Sequence, residues 1–296
     1  MSRRAKVILA IAIPAVLLIL LGVIFGSEGQ NTAYKPQNEF KLDTWINLPG
    51  PFDINKAVLY LVIAGVLTTW TMVYVARRME ARPNRVQTAV ETIFALMRDN
   101  ITRGNMDDRM AAKWFPFIGS LFLFIWYSNL VGFIPLPTNA EEKFNIFGAN
   151  IPSFSLYAAT ANVSVPLVFA LIVFVSYTTE GVRRKGVGGY LKSLVPAGVT
   201  GWMTGPIFGL ELLSNLMRIV SLSVRLFANM LAGHLIILFM AGGLAILLGA
   251  AAVGWIALPL GIAIYIFEVG LVATLQAFIF ATLSAIYLGG SVAESH

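Results

Sequence analysis

The chain has no cysteine, which excludes disulfides, thiol chemistry and any cysteine-ligated metal site. Its only histidines are His234 and His296, too few and too far apart for the usual zinc motifs. Charge is also scarce. Asp, Glu, Lys and Arg make up 12% of the 296 residues, against roughly 25% in a soluble domain. No glycine loop of the phosphate-cradling kind occurs, which leaves this chain without a nucleotide-binding motif. No internal repeat is present either, which removes the main sequence sign of a two-halved transporter.

What fills the chain is apolar: 57% of the residues are hydrophobic and the mean hydropathy is +0.77. No charged residue lies between Lys113 and Glu141, or between Lys143 and Glu180. Such stretches are long enough to cross roughly 30 Å of hydrocarbon. The net charge of +6 comes from short basic clusters beside apolar runs. That is the pattern of membrane topology, without the basic stripe or aromatic platform of a nucleic-acid binder.

The runs predict an all-α polytopic membrane protein with about six membrane helices. Arg3, Arg4 and Lys6 precede an apolar run from Val7 to Phe25. Residues 1–26 therefore read as an N-terminal membrane helix or an uncleaved signal-like segment, since the run is long for a signal core and no small-x-small cleavage site stands out. Residues 27–55 are polar and rich in Pro, Gly and Asn, and read as an extracytoplasmic loop. A second span is expected from Ala57 to Ala76, closed by Arg77, Arg78 and Arg82. The following segment, 84–102, alternates apolar and polar residues at helical spacing. It reads as a helix lying on the membrane surface or packed on a partner.

A third span is expected after Lys113 up to Phe133, then an acidic loop from Pro135 to Pro152, then a fourth span from Tyr157 to Thr179 ending at Arg183, Arg184 and Lys185. The basic loops all fall on one side. The positive-inside rule makes that side the cytoplasm and places both termini there. Two longer patterns follow, Ile207 to Met240 and 256–288. The first, at 1.5 Å per residue, spans about 50 Å, too long to stand upright in a bilayer. The two are expected to form a long, steeply tilted hairpin around Gly242 and Gly243 or Gly249 and Gly254.

Chemistry concentrates in these last helices. Glu211, Arg218 and Arg225 follow one another at intervals of seven, and Asn229 stands four after Arg225. They share one helix face with a small drift, and Ser214 and Asn215 lie among them. An arginine at bilayer depth must meet water, an anion or a carbonyl-lined site. Glu211 and Arg218 also fit a buried pair that orders the bundle, but Arg225 has no acid three or four residues away. His234 and Glu268 suit a proton relay, although a lone helical histidine equally fits a structural hydrogen bond. Gln276 follows Glu268 by eight residues.

The segment Ser221-Leu-Ser-Val-Arg225-Leu-Phe-Ala-Asn229-Met-Leu-Ala-Gly233-His234 resembles the signature of the ATP synthase subunit a family. Thr274-Leu-Gln276-Ala-Phe-Ile-Phe-Ala-Thr-Leu-Ser-Ala-Ile-Tyr-Leu288 resembles that family's last helix. Asn129-Leu-Val-Gly132-Phe-Ile-Pro135, Thr160-Ala-Asn162 and Lys185-Gly-Val-Gly-Gly189 extend the likeness over residues 57–290. The resemblance implies that residues 56–296 form the membrane domain of a proton-translocating stator. The last hairpin would lie against a rotor ring of subunit c, with peripheral-stalk subunit b and the rest of the ATP synthase as further partners; the separate first helix and the length of 296 residues fit a bacterial plasma membrane better than an organelle.

The resemblance further implies that Arg225 faces ring carboxylates and separates two half-channels. Asn229, His234 and Gln276 would line polar routes beside the ring, and Glu211, Ser214 and Arg218 the route towards the cytoplasm. Neither a cofactor nor a metal is expected, and no catalytic site within this chain. Two positions depart from the family pattern. The last helix carries an acid, Glu268, eight residues before Gln276 where seven are expected. An aspartate common in the fourth span is Asn162 here, and an amide can order water but cannot relay a proton by ionising. The choice between proton and sodium belongs to the ring carboxylate, outside this chain.

Overall fold

A computed structural model of the chain describes residues 42, 44–46, 54–77, 85–146, 149–195, 199, 201–240 and 251–292. The expected first span and the glycines at 242, 243 and 249 lie outside the described residues. A short antiparallel pair, β1 (Thr44–Ile46) with β2 (Ile54–Asn55), leads into the first described helix, α1 (Lys56–Arg77). The Asn55 side-chain oxygen accepts a hydrogen bond from the Val58 amide at 3.1 Å. It thereby satisfies one of the amide donors that every helix start leaves unpaired. The helix ends at Arg77, the first of the basic residues expected to close this span.

The expected amphipathic helix is α2 (Arg85–Ala95), which runs on into a π-helical turn, Leu96–Thr102. There the Thr102 hydroxyl donates to the Met97 carbonyl at 2.7 Å, five residues back. Next come α3 (Asp108–Gly132) and α4 (Ser164–Ser193). Helix α3 begins five residues before the expected apolar start at Lys113, because its first turn is charged. Helix α4 starts later than expected: Ala159–Ala161 form a 3-10 turn and Asn162 is extended. The residues expected as an acidic loop instead form an antiparallel hairpin, β3 (Leu136–Ile146) with β4 (Ala149–Ser155).

Helix α4 outruns its expected end because two helical runs meet at a kink at Gly186, whose φ of 72° lies in the left-handed region that glycine tolerates. Two long elements follow. One is α5 (Thr204–Leu238); the other comprises α6 (Ala251–Phe267), a π turn (Glu268–Val272) and α7 (Ala273–Val292). Gly254 lies within α6, so it is not a turn residue. Lys56–Arg77, Asp108–Gly132, Ser164–Ser193, Gly201–Leu238 and Pro259–Val292 are each long and apolar enough to cross a membrane. The chain is an all-α polytopic membrane protein, with strands confined to connecting segments.

The chain divides into two compact units. The larger comprises Asp43–Ile134, Ala158–Leu231 and Val272–His296. In it α3 packs on α1 and α7, and α7 packs on α4. Phe169 meets Phe124 and Phe280 edge-on, with ring centroids 5.5 and 6.5 Å away. Gly132 has no side chain because Ala158 occupies the space a β-carbon would need. A buried polar knot joins three elements: Thr160 donates to the Asn129 side-chain oxygen at 2.9 Å, and the Asn129 amide donates to the Ala273 carbonyl at 3.3 Å. In hydrocarbon an unpaired polar group costs several kcal/mol, so the knot fixes how α3, the 3-10 turn and α7 meet. The Trp126 indole reinforces it by donating to Thr274 at 3.0 Å.

The smaller unit comprises Met1–Leu42, Pro135–Tyr157 and Ala232–Leu271. Among its described residues are the β3–β4 hairpin, the end of α5, α6 and most of the π turn.

Candidate site for proton translocation

Helix α5 arranges its polar residues by face. Glu211, Asn215 and Arg218 lie on one side, at intervals of four and three, and line a cavity of about 250 Å³ in the larger unit. Its other walls include Tyr177 and Lys185 of α4, Tyr190 beyond the Gly186 kink, and Tyr287 of α7. The Tyr177 hydroxyl donates to the buried Asn215 side chain at 3.4 Å. The Arg218 guanidinium lies 5.1 Å from the centre of the Tyr287 ring. A cation over an aromatic face is held there by the ring quadrupole. The Tyr177 and Tyr287 rings are 5.9 Å apart. The cavity is thus an aromatic cup lined by two cations, Arg218 and Lys185, one carboxylate, Glu211, and several neutral donors and acceptors.

The Gly186 kink helps to build this cup. It carries Tyr190 back over α4, where the ring sits so close to Gly181 that any β-carbon there would strike it. The sequence groups Glu211 with Arg218 but gives no signal for Tyr177, Tyr190 or Tyr287. Aromatic residues are common in spanning helices, and only the packing of α4, α5 and α7 brings these three together. Ser214, grouped with them in sequence, is exposed and does not line the cavity.

Arg225 and Asn229 follow about two and three turns beyond Arg218 on the face it shares with Glu211, and both are exposed. Among the described residues Arg225 has no ion pair or hydrogen bond, whereas its helix neighbours Leu222 and Leu226 are buried at 2% and 1% exposure. Ser221 and Ala228, one turn either side of Arg225, are exposed as well and small.

In the smaller unit His234 is fully buried and the preceding Gly233 abuts the Glu268 carboxyl group. One carboxyl oxygen of Glu268, Oε2, is buried without a hydrogen-bond partner. A buried polar atom of this kind calls for a partner such as water or a proton carrier. Glu268 opens the π turn, which takes one residue more than an α turn. The eight-residue interval to Gln276 therefore contains one inserted residue, which accounts for the departure from seven. Gln276 is buried at 4% exposure in the larger unit. The Asn162 side-chain oxygen accepts from the Ser164 amide at 3.0 Å and so helps to start α4. Among the described residues no three His, Asp or Glu side chains converge as a metal site would require.

Residues 58–289 match the family model described as ATP synthase A chain. The chain belongs to the ATP synthase subunit a family. It is 33% identical over 244 residues to ATP synthase subunit a of Rhizobium rhizogenes, covering 81% of this chain and 89% of the relative. Against the subunit a of Bradyrhizobium diazoefficiens the identity is 34% over 243 residues, or 80% and 88% of the two chains. The Myxococcus xanthus relative is 34% identical over 207 residues, 70% of this chain and 61% of its own length. Membership makes the chain a membrane subunit of an ATP synthase. The family match spans every candidate residue from Asn162 to Gln276, so the π turn and the Glu268 carboxyl belong to the subunit a domain.

Proposed function

We propose that the chain is the proton-translocating stator subunit of a rotary ATP synthase, with Arg225 facing the ring of subunit c and separating two half-channels. The observation that carries this reading is Arg225 itself: a guanidinium on the exposed side of a spanning helix, with no acid beside it among the described residues. Placing a charge at bilayer depth costs from about 2.5 to more than 10 kcal/mol. Such a charge needs an anion from outside the chain, and a ring carboxylate supplies one. Ser221 and Ala228 support the same reading, since small residues let a neighbouring helix approach closely.

The path follows from the chemistry of the side chains. On the extracytoplasmic side His234, Glu268, Gln276 and Asn229 pass protons or order water, with Asn162 as a water-ordering amide at the start of α4. The ring carboxylate takes the proton and is carried round. It loses the proton again near Arg225, because an opposite charge within about 6 Å favours the ionised acid. The cup around Glu211, Asn215 and Arg218 receives that proton on the cytoplasmic side. Arginine does not release its own proton, so the two routes stay separate; a lysine could lose its proton and open a leak. ATP chemistry resides on the other subunits, and subunit b anchors the stator.

The absence of cysteine offers a clean test. Ser221→Cys or Ala228→Cys, paired with single cysteines along the outer helix of subunit c, should form disulfides in assembled membranes. Leu222→Cys, on the buried side, should form none. Cross-linking at Leu222 with none at Ser221 or Ala228 would overturn the proposed facing of α5.

A further inference from the structure

The proton path leaves unused an apolar cavity of about 710 Å³ in the larger unit, enclosed by α1, α2 and α3. Val75 and Ala76 of α1, Phe94 and Met97 of the α2 segment, and Phe115 and Trp126 of α3 line it. Phe94 is 42% exposed, so the cavity opens to the surface of the chain rather than being sealed in the core. Volumes of 300–1,000 Å³ are typical of small-molecule sites.

Two features say what fits. The first is length. Along α3 the lining runs from Phe115 to Tyr127, an interval of twelve residues or roughly 18 Å. That is close to one leaflet of a hydrocarbon layer about 30 Å thick. A spanning helix from a partner would need the full thickness.

The second is charge. Arg77 directly follows Ala76, and Arg98 directly follows Met97. Both arginines are exposed, and among the described residues neither side chain has an ion pair or hydrogen bond. The nearby cation Lys113 is engaged elsewhere, 2.6 Å from Glu180. An apolar slot one leaflet deep, with an exposed arginine next in sequence to each of two lining residues, is complementary to a lipid with an apolar tail and an anionic head. Basic side chains at the end of a spanning helix recognise such heads.

We propose that this cavity binds one acyl chain of an anionic phospholipid, with Arg77 and Arg98 holding the headgroup. The lipid would act as a mortar between helix α2 and the spanning pair α1 and α3. Nothing in this inference depends on the proton path.

The test uses the assembled ATP synthase in vesicles of phosphatidylcholine doped with a photoreactive-tail probe. The probe carries either a phosphatidylglycerol or a phosphatidylcholine head. After illumination, labelled peptides are mapped by mass spectrometry. The anionic probe should label the peptides containing Phe94, Phe115 and Trp126 preferentially, and the preference should fall about fivefold for each of Arg77→Gln and Arg98→Gln. A β-carbon at Gly119 would meet only the Phe115 ring, at 3.9 Å. Gly119→Leu should therefore fill the slot and abolish labelling by either probe while the complex still assembles. Equal labelling by the two heads, labelling untouched by Gly119→Leu, or a cross-link from the cavity to another protein chain would overturn the proposal.

Discussion

Gly233 lies against the carboxyl group of Glu268, and a β-carbon added to it would occupy the space the carboxyl now fills. Two segments far apart in sequence are thereby fitted to each other at the position where a buried carboxyl oxygen has no partner. Gly233→Ala should push Glu268 aside. ATP-driven acidification of vesicles should fall by about tenfold or more, as expected when a reacting group is displaced by an ångström. Adding Glu268→Asp, one methylene shorter, should restore part of the loss. An unchanged rate in Gly233→Ala would remove Glu268 from the path.

The cup around Arg218 makes a second test. Tyr287→Phe keeps the aromatic face under the guanidinium and should leave proton pumping near the wild-type rate. Tyr287→Leu removes an attraction of roughly 0.5–2 kcal/mol and should lower the rate with little loss of assembled complex. Equal rates in the two variants would mean that the ring does not position Arg218.

Glu180 is 3% exposed and pairs with Lys113, which is 52% exposed, at 2.6 Å; Arg184 stands 3.9 Å away. The burial is lopsided, so the two deletions should be unequal. Lys113→Ala leaves the buried carboxylate with only the longer Arg184 contact and should cost about 1–3 kcal/mol, less than a fully buried pair because Lys113 is screened by water. Glu180→Ala leaves a lysine that can turn to solvent and should cost less. Thermal aggregation of the purified complex checks the order.

The spans were legible because burial in lipid demands long runs without charge, and Arg77 and Lys113 mark limits that the helices keep or approach. The hairpin of residues 136–155 was missed, since its polar composition is that of a loop and only strand pairing reveals it. Arg225 stands out in the sequence as an arginine with no acid three or four residues away, and the described residues around it give it no ion pair. The cup was legible only in part. Glu211 and Arg218 carry a spacing signal, whereas Tyr177, Tyr190 and Tyr287 reach the same place through the Gly186 kink and the packing of three helices. The odd interval between Glu268 and Gln276 is the trace of the π turn, and the extra residue was its sequence signal. Ser214 shows the limit of face counting: it neighbours Asn215 in sequence, yet the face that meets the cavity excludes it.

The most direct measurement compares active and passive proton flux in vesicles containing the purified complex with Arg225 or with Arg225→Ala. The account predicts that Arg225→Ala assembles normally, abolishes ATP-driven pumping and raises the passive proton leak, because nothing then separates the two routes. ATP-driven pumping at the wild-type rate in the assembled variant would contradict it.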